Sequence, residues 1–351
     1  MARGASLRYP LEARLKTMRV EATGESIAWV VEAPGGPFVP RTVATPALAA
    51  HDVLVRVAAS GVNPLDTKIR AGAAAHARQP LPAVLGVDVA GTVEAVGADV
   101  TTFRAGDEVY GMVGGVGGVP GTLAQRVVAD AALLALKPRA LSMREAAALP
   151  LSVITAWEGI VDRARTRPGE QVLVHAGAGG VGHVAVQIAI AYGANVFATV
   201  SPGKSGYVRG LGAEPIDYHT ENVEAYVGRC TAGRGFDVVY DTVGGATLDA
   251  SFLAVKRYTG RAVSCLGWGT HALAPLSFRG ATYSGVFTLL PLLTGEGRAH
   301  HGEILRVAAR LVDEGKLHPL LNERVFTADD IDAAHDEVSR GSNGKVVVNI
   351  D

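Results

Sequence analysis

Val172-Leu-Val-His-Ala-Gly177-Ala-Gly179-Gly180-Val-Gly182-His-Val-Ala-Val-Gln-Ile-Ala-Ile-Ala191 is the stretch whose reading decides the fold. An apolar strand, Val172–Ala176, runs into a glycine turn, and the turn opens a helix carrying Val184, Val186, Ile188 and Ala189. Gly177, Gly179, Gly180 and Gly182, with Val181 between the last two, match the dinucleotide fingerprint in the strand–turn–helix context that pattern requires. Glycines there let backbone approach a pyrophosphate, which the unpaired N–H groups and the positive end of the helix then hold. A helix-entry turn without a ligand would use similar glycines. The agreement of strand, turn and helix favours the nucleotide.

The next strand, Asn195–Ser201, bears on which dinucleotide. NAD-specific sites place an Asp or Glu about 20 residues beyond the first glycine, where it takes the ribose 2′-OH. This strand ends without an acid, and the chain then supplies Ser201, Lys204 and, further on, Tyr218. A hydroxyl, an ammonium and a phenol suit a 2′-phosphate, so NADPH is expected. Against this, a lone lysine is usually solvated and a lone tyrosine usually packs.

Outward from this unit the texture divides the chain. From Ala146, strands alternate with helical patterns (NVFATVS, DVVYDTVG, RAVSCLG), which calls for an α/β fold with a doubly wound parallel sheet. From Ile27 to about Tyr110, short strands with turn signals (IAWVVEA, DVLVRVAASGV, VAGTVEAVG, DEVYG) indicate an antiparallel, barrel-like half. After Tyr283 come two helical stretches, EILRVAARLVDEG and DIDAAHDEVSRG, and a final strand, KVVVNI, expected to return to the first half. Two domains suit 351 residues, and 43 glycines with 48% hydrophobic residues suit a glycine-rich α/β enzyme. A net charge of -1 gives no electrostatic case for nucleic acid or an acidic membrane. Every apolar stretch is broken before the roughly 18 residues a membrane span needs. Cys230 and Cys265 are too far apart for a CxxC device, and a reducing cytoplasm is the expected location. Residues 1–17, rich in Arg and without periodicity, are expected to be a disordered extension and not a targeting signal, with Met18 a reasonable native start.

Several blocks, in order, resemble the quinone oxidoreductase branch of the medium-chain dehydrogenase/reductase superfamily, the zinc-independent, zeta-crystallin-like branch. They are Ala59-Ser-Gly-Val-Asn-Pro-Leu-Asp66, Leu85-Gly-Val-Asp-Val-Ala-Gly91, Gly106-Asp-Glu-Val-Tyr-Gly111, Leu149-Pro-Leu-Ser-Val-Ile-Thr-Ala-Trp157 and Gly169 through Gly182 with Gln187. The resemblance covers nearly the whole chain after Met18. It implies a GroES-like β-barrel catalytic domain over residues 18–145 plus 284–351, a Rossmann NADPH-binding domain over 146–283, and a homodimer. It further implies that Asn63 and Thr155 face the nicotinamide and acceptor as catalytic residues, Thr155 also touching the cofactor, while Thr242, Val243, Leu266, Gly267 and Trp268 line the cofactor edge. Read alone, Asn63 is equally a turn residue before Pro64. Two departures stand out: Ile190 where relatives carry a basic residue, and Lys68 where they often carry an aromatic one, which alters the acceptor pocket.

Zinc alcohol dehydrogenases of the same superfamily resemble the chain in layout, yet Asn63 stands at their first catalytic cysteine, Val87 and Asp88 replace the His-Glu pair, and Ser152 lies where the last ligand would be. No metal is expected. His300, His301 and Glu303 read as a solvated turn. Without a Lewis acid, simple alcohol oxidation loses its driving device, whereas a quinone or α,β-unsaturated carbonyl accepts hydride into a system that delocalises the charge. The expected activity is NADPH-dependent reduction of a quinone or other conjugated carbonyl. An enoyl-thioester reductase and a non-catalytic, crystallin-like NADPH-binding protein are the alternatives. A second glycine-rich stretch, Gly111–Gly121, is either a mobile loop over the cleft or an irregular connection between barrel strands.

Overall fold

The computed structural model describes residues 24–350, so the expected extension at 1–17 and Met18 lie outside the described residues. A helix, α1 (Pro150–Trp157), runs into a π-helical segment, Glu158–Arg163, and leads to the first of six parallel strands. These are β1 (Gln171–Val174), β2 (Asn195–Val200), β3 (Glu214–Asp217), β4 (Val238–Asp241), β5 (Arg261–Ser264) and β6 (Thr282–Gly285). Their spatial order is β3-β2-β1-β4-β5-β6, so the direction of winding reverses between β1 and β4. In such sheets a crevice opens at that reversal, outside the carboxyl ends of the strands. Val172, Leu173 and Val174 are fully buried, as a strand covered by helices on both faces must be.

The glycine turn then enters α2 (Gly182–Ala191), whose residues from Gly182 to Ala189 are all buried. Two glycines serve packing. A Cβ on Gly177 would sit 2.4 Å from the Ala198 Cβ, and one on Gly182 would sit 2.1 Å from the Ala176 carbonyl oxygen. Gly179 and Gly180 face freer space. Ala176, just before the turn, adopts a left-handed φ of 54°, which costs a non-glycine residue roughly 1 kcal/mol.

The other half is built on a seven-stranded sheet. Its central strand, Asp52–Val62, pairs antiparallel with Asp88–Val96, Arg126–Asp130 and the late strand Val346–Asn349. Val53, Val55 and Val57 alternate inward and are fully buried, the period-2 pattern of a half-buried strand. Val346↔Val62 and Asn349↔Ala59 fix the register of the returning strand, which brings Lys345 to the boundary with the parallel sheet.

Three expectations change. Thr282–Gly285, which shows no apolar run, is nevertheless the edge strand β6, and the parallel sheet therefore ends at Gly285. His300, His301 and Glu303 do not form a solvated turn: they lie in the first turns of α3 (Arg298–Asp313), with His301 buried. The apolar face of that helix packs against the barrel, and it carries His301 with it. The Gly111–Gly121 stretch is the irregular connection, not a lid. Gly121 N–H donates to Val84 O at 2.9 Å, Thr122 N–H to Gly86 O at 3.0 Å, and Val116 is fully buried.

Candidate active site

A cavity of about 280 Å³ lies at the reversal point, between the glycine turn, the helix after Asn63, α1, the ends of β4 and β5, and Lys345. It brings together Asn63, Thr155, Gly179, Gly180, Val181, Thr242, Leu266 and Trp268 from the expected residues. Gly177 and Gly182 belong to the same turn but face its packed side, while Val243 and Gly267 flank the cavity without lining it. Ser201, Lys204 and Tyr218 lie elsewhere, beyond the carboxyl ends of β2 and β3. Tyr218 is exposed and lies against His219, with ring centroids 4.3 Å apart. Among the described residues Lys204 has no ion-pair partner, and β2 ends at Val200 without an acid.

The turn is held by neutral imidazoles. His183 Nδ1–H donates to Gly179 O at 2.8 Å, and its Nε2 accepts from Leu320 N–H at 3.2 Å. Burial pushes the ring's pKa down to about 4, so it stays neutral and this tautomer is fixed. His175, likewise pushed down to about 4 by burial, shares Thr199 Oγ1 with the Ala176 N–H. Gln187 clasps His318 with both ends of its amide, donating to its carbonyl and accepting from its N–H. On the ligand side, no backbone acceptor among the described residues takes the N–H groups of Gly180 and Val181. Those are orphan donors at a helix start.

At the other wall sits a buried polar cluster that reaches across 282 positions of sequence. The Lys345 ammonium donates to Asn63 Oδ1 and lies 3.7 Å from Asp88 Oδ2. Asn63 Nδ2 donates to the same Asp88 oxygen at 2.9 Å. Asp88 Oδ1 accepts the Leu151 N–H at 2.9 Å, placing a carboxylate at the N-terminal end of α1, where the helix dipole favours it. Asp66 accepts the Asn63 N–H at 2.8 Å. Burial dominates their protonation: it raises Asp88, lowers Lys345, and with the charge of Asp88 pushes Asp66 up to about 7. Asn63 is therefore a bridge whose amide is committed at both ends.

Thr155 lines the opposite side. Its hydroxyl donates to Leu151 O at 2.7 Å and lies 3.1 Å from Thr288 Oγ1. Tyr240 OH donates to the Thr155 carbonyl at 2.7 Å, which fixes α1 on β4. The cavity mouth is aromatic: Trp268, half exposed, stands edge-on to His76 with centroids 4.3 Å apart and near Phe287 at 6.3 Å. Lys68 also lines it. Lys345, Cys265, His76, Phe287 and Thr288 were not expected in the site. A lysine before an apolar strand, or a threonine in Val286-Phe-Thr-Leu-Leu290, carries no local signal of what lies opposite in space.

The sequence matches the family model described as alcohol dehydrogenase GroES-like domain over residues 49–139 and that described as zinc-binding dehydrogenase over residues 211–348. It is 36% identical to the 2-methylene-furan-3-one reductase of Solanum lycopersicum, over 87% of this chain and 74% of that one. It is 35% identical to the chloroplastic NADPH-dependent alkenal/one oxidoreductase of Arabidopsis thaliana, over 86% and 72%. Among solved structures, an alcohol dehydrogenase superfamily protein from Novosphingobium aromaticivorans is 58% identical with a TM-score of 0.91, over 93% of this chain and 100% of that one. The quinone oxidoreductase from Coxiella burnetii is 29% identical (TM-score 0.77) and the CurK enoyl reductase 28% (TM-score 0.80), each over 93% of this chain and 99% of the other.

Proposed function

Because this chain belongs to the medium-chain dehydrogenase/reductase superfamily, in its quinone-oxidoreductase-type branch, and is an oxidoreductase of that fold, we propose that it reduces a conjugated carbonyl with NADPH and without a metal ion. The acceptor is an alkenal, an enone or a quinone. The observation that carries this reading is the buried cluster itself. A catalytic zinc needs three protein ligands with nitrogen, sulfur or oxygen donors. Where the fold family would place it, this chain has an amide committed at both ends, a carboxylate bound to a helix N-terminus, and a lysine ammonium. Among the described residues no group of three His, Cys, Asp or Glu side chains could hold an ion. Zinc does not fit this donor set.

The residues fit a phosphorylated dinucleotide. Gly179 and Gly180 leave the backbone approachable, and the orphan N–H groups of Gly180 and Val181 suit a diphosphate, with the Lys345 side chain passing beside Gly180. Ser201, Lys204 and Tyr218 provide the donors for a 2′-phosphate, at a strand end that lacks the acid a free ribose would use. When bound, the cofactor supplies a hydride. The chain's own residues then orient and stabilise. Leu266 and Thr242 bound the nicotinamide end, Thr155 offers a hydroxyl to the acceptor, and Trp268, Phe287 and His76 exclude water from its apolar body. Charge that spreads over a conjugated system needs little further stabilisation, which matches a site without a Lewis acid.

The relatives named for alkenal, enone and furanone reduction support an enone acceptor over a saturated one. No helix is long and apolar enough to cross a membrane among the described residues, and both cysteines are free thiols, which supports a reducing, cytoplasmic setting. Chelation-treated protein assayed with NADPH or NADH against 1,4-benzoquinone, an alkenal, an enone, crotonyl-CoA and, in reverse, a primary alcohol tests the reading. NADPH consumption with the enone, alkenal or quinone is expected. Metal-dependent alcohol oxidation would overturn it, a preference for crotonyl-CoA would favour a thioester reductase, and NADPH binding without any turnover would favour a non-catalytic role.

A further inference from the structure

Resting on that reading of the reaction, we propose that Glu158 supplies the proton that completes enone reduction, passing it through Thr288 and Thr155 into the cavity. Four oxygens stand in a row here. Leu151 O accepts from Thr155 Oγ1 at 2.7 Å, Thr155 Oγ1 lies 3.1 Å from Thr288 Oγ1, and Thr288 Oγ1 lies 3.2 Å from Glu158 Oε2. The row contains three contacts but only two hydroxyl protons. With Glu158 ionised, one contact must go without a proton. A proton on Glu158 fills all three, directed from the carboxyl toward the cavity. The row is thus a wire that points inward when charged at Glu158 and is reset when that carboxyl is refilled.

Local structure is shaped to present this carboxyl inward. Glu158 opens the π-helical segment that follows α1, and such segments recur at functional sites. Gly159 follows it, where a Cβ would lie 2.4 Å from the Tyr240 ring, so the turn closes directly on β4. Behind Glu158, His301 on α3 lies with Nε2 3.4 Å from Oε1, buried, and with neither ring nitrogen hydrogen-bonded. The Glu158 side chain itself keeps 14% of its surface accessible. An uncommitted imidazole and a path to water are what refilling a carboxyl requires.

The step balances as follows. Hydride addition forms a C–H bond at the β-carbon of the enone, oxidises the nicotinamide and moves the π pair onto the carbonyl oxygen as an enolate. Thr155 gives that enolate its hydroxyl proton, takes the proton of Thr288, and Thr288 takes that of Glu158. Solvent restores Glu158 by way of its exposed edge or His301. Glu158 touches neither cofactor nor acceptor, so it is a positioning residue for the proton. A quinone differs, because its reduced anion is a stable phenolate that water protonates without help.

That difference supplies the test. Glu158→Gln keeps the shape and removes the transferable proton. It should lower kcat with an enone by about 10²-fold, the lower range for a lost general acid, while quinone turnover stays within about twofold. The solvent deuterium isotope effect on enone turnover should grow, the effect of deuterated NADPH should shrink, and NADPH affinity by fluorescence quenching should not change. Thr288→Val should match Glu158→Gln, their combination should be no worse than either alone, and Thr288→Ser should restore the rate. Equal losses with enone and quinone, or unchanged isotope effects with intact NADPH binding, would overturn the relay and leave the proposed activity standing. A wild-type protein that reduces neither acceptor removes both.

Discussion

Replacing Lys345 by Met keeps the length of the side chain and removes its charge. Asn63 Oδ1 then loses its donor, and Asp88 and Asp66 remain as two fully buried carboxyls with no cation between them. Removing one partner of a buried ion pair costs about 3–5 kcal/mol. Unfolding entropy near 2.1 cal/mol/K per residue gives ~0.7 kcal/mol/K for a chain of 351 residues, so Tm should fall by about 4–7 °C near neutral pH. The loss must depend on pH in one direction. The folded pKa of Asp66, about 7, lies above the ordinary 3.8, so between those values the folded state holds more protons than the unfolded state. Stability from this group is therefore present at low pH and declines as pH rises through that window. Removing the ammonium raises both carboxyls further, so the Tm deficit of Lys345→Met should be small near pH 5 and largest near pH 8. Adding Asp88→Asn should recover about half of the deficit, since an amide oxygen still accepts the Leu151 N–H. Differential scanning calorimetry from about pH 5 to 8 reads all three effects. A deficit that does not vary with pH, or a double variant less stable than Lys345→Met, would refute the account of this cluster.

Lys204→Ala should raise the KM for NADPH by about 10- to 100-fold, the worth of a charge-assisted bond, and leave that for NADH within about twofold; equal shifts would remove the case for a 2′-phosphate. The glycine turn predicts opposite behaviour at two neighbouring positions. Gly177→Ala, forced against Ala198, should cost about 1–3 kcal/mol in chemical denaturation, whereas Gly180→Ala should leave stability unchanged and weaken NADPH binding. A second copy of the chain is proposed along β6, whose Thr282, Tyr283 and Gly285 are exposed at the sheet edge with Phe278 84% exposed nearby. Sedimentation equilibrium should give twice the chain mass, and a monomer at micromolar concentration would exclude it.

The parts of this molecule that announce themselves in sequence are those governed by neighbours along the chain. The apolar run at Val172, the glycines from 177 to 182 and the alternating valines of Asp52–Val62 obey local periods, and the sheets follow from them. β6 escaped because Thr-Tyr-Ser-Gly takes its conformation from pairing with β5, without an apolar run of its own. The cavity was half legible. Asn63 and Thr155 sit in blocks that resemble a family, but the partners that determine their chemistry are Lys345 and Thr288, which lie 282 and 133 positions away. His301 shows the same limit. Next to His300 and Glu303 it reads as a polar turn, and only the packing of α3 buries it against Glu158.

The clasp between α2 and the 318–320 segment sets the size of the piece that can be exchanged between related enzymes. A nucleotide-binding unit cut at the edges of its sheet would carry away His183 and Gln187 but leave behind Leu320 and His318, their hydrogen-bond partners. The transplanted glycine turn would then arrive with an imidazole missing its Leu320 donor and an amide unpaired at its His318 contacts. For a chimera to bind its cofactor as either parent does, the crossover must keep residues 183, 187 and 318–320 from one parent. The transferable module is therefore discontinuous in sequence and larger than the fold it appears to be.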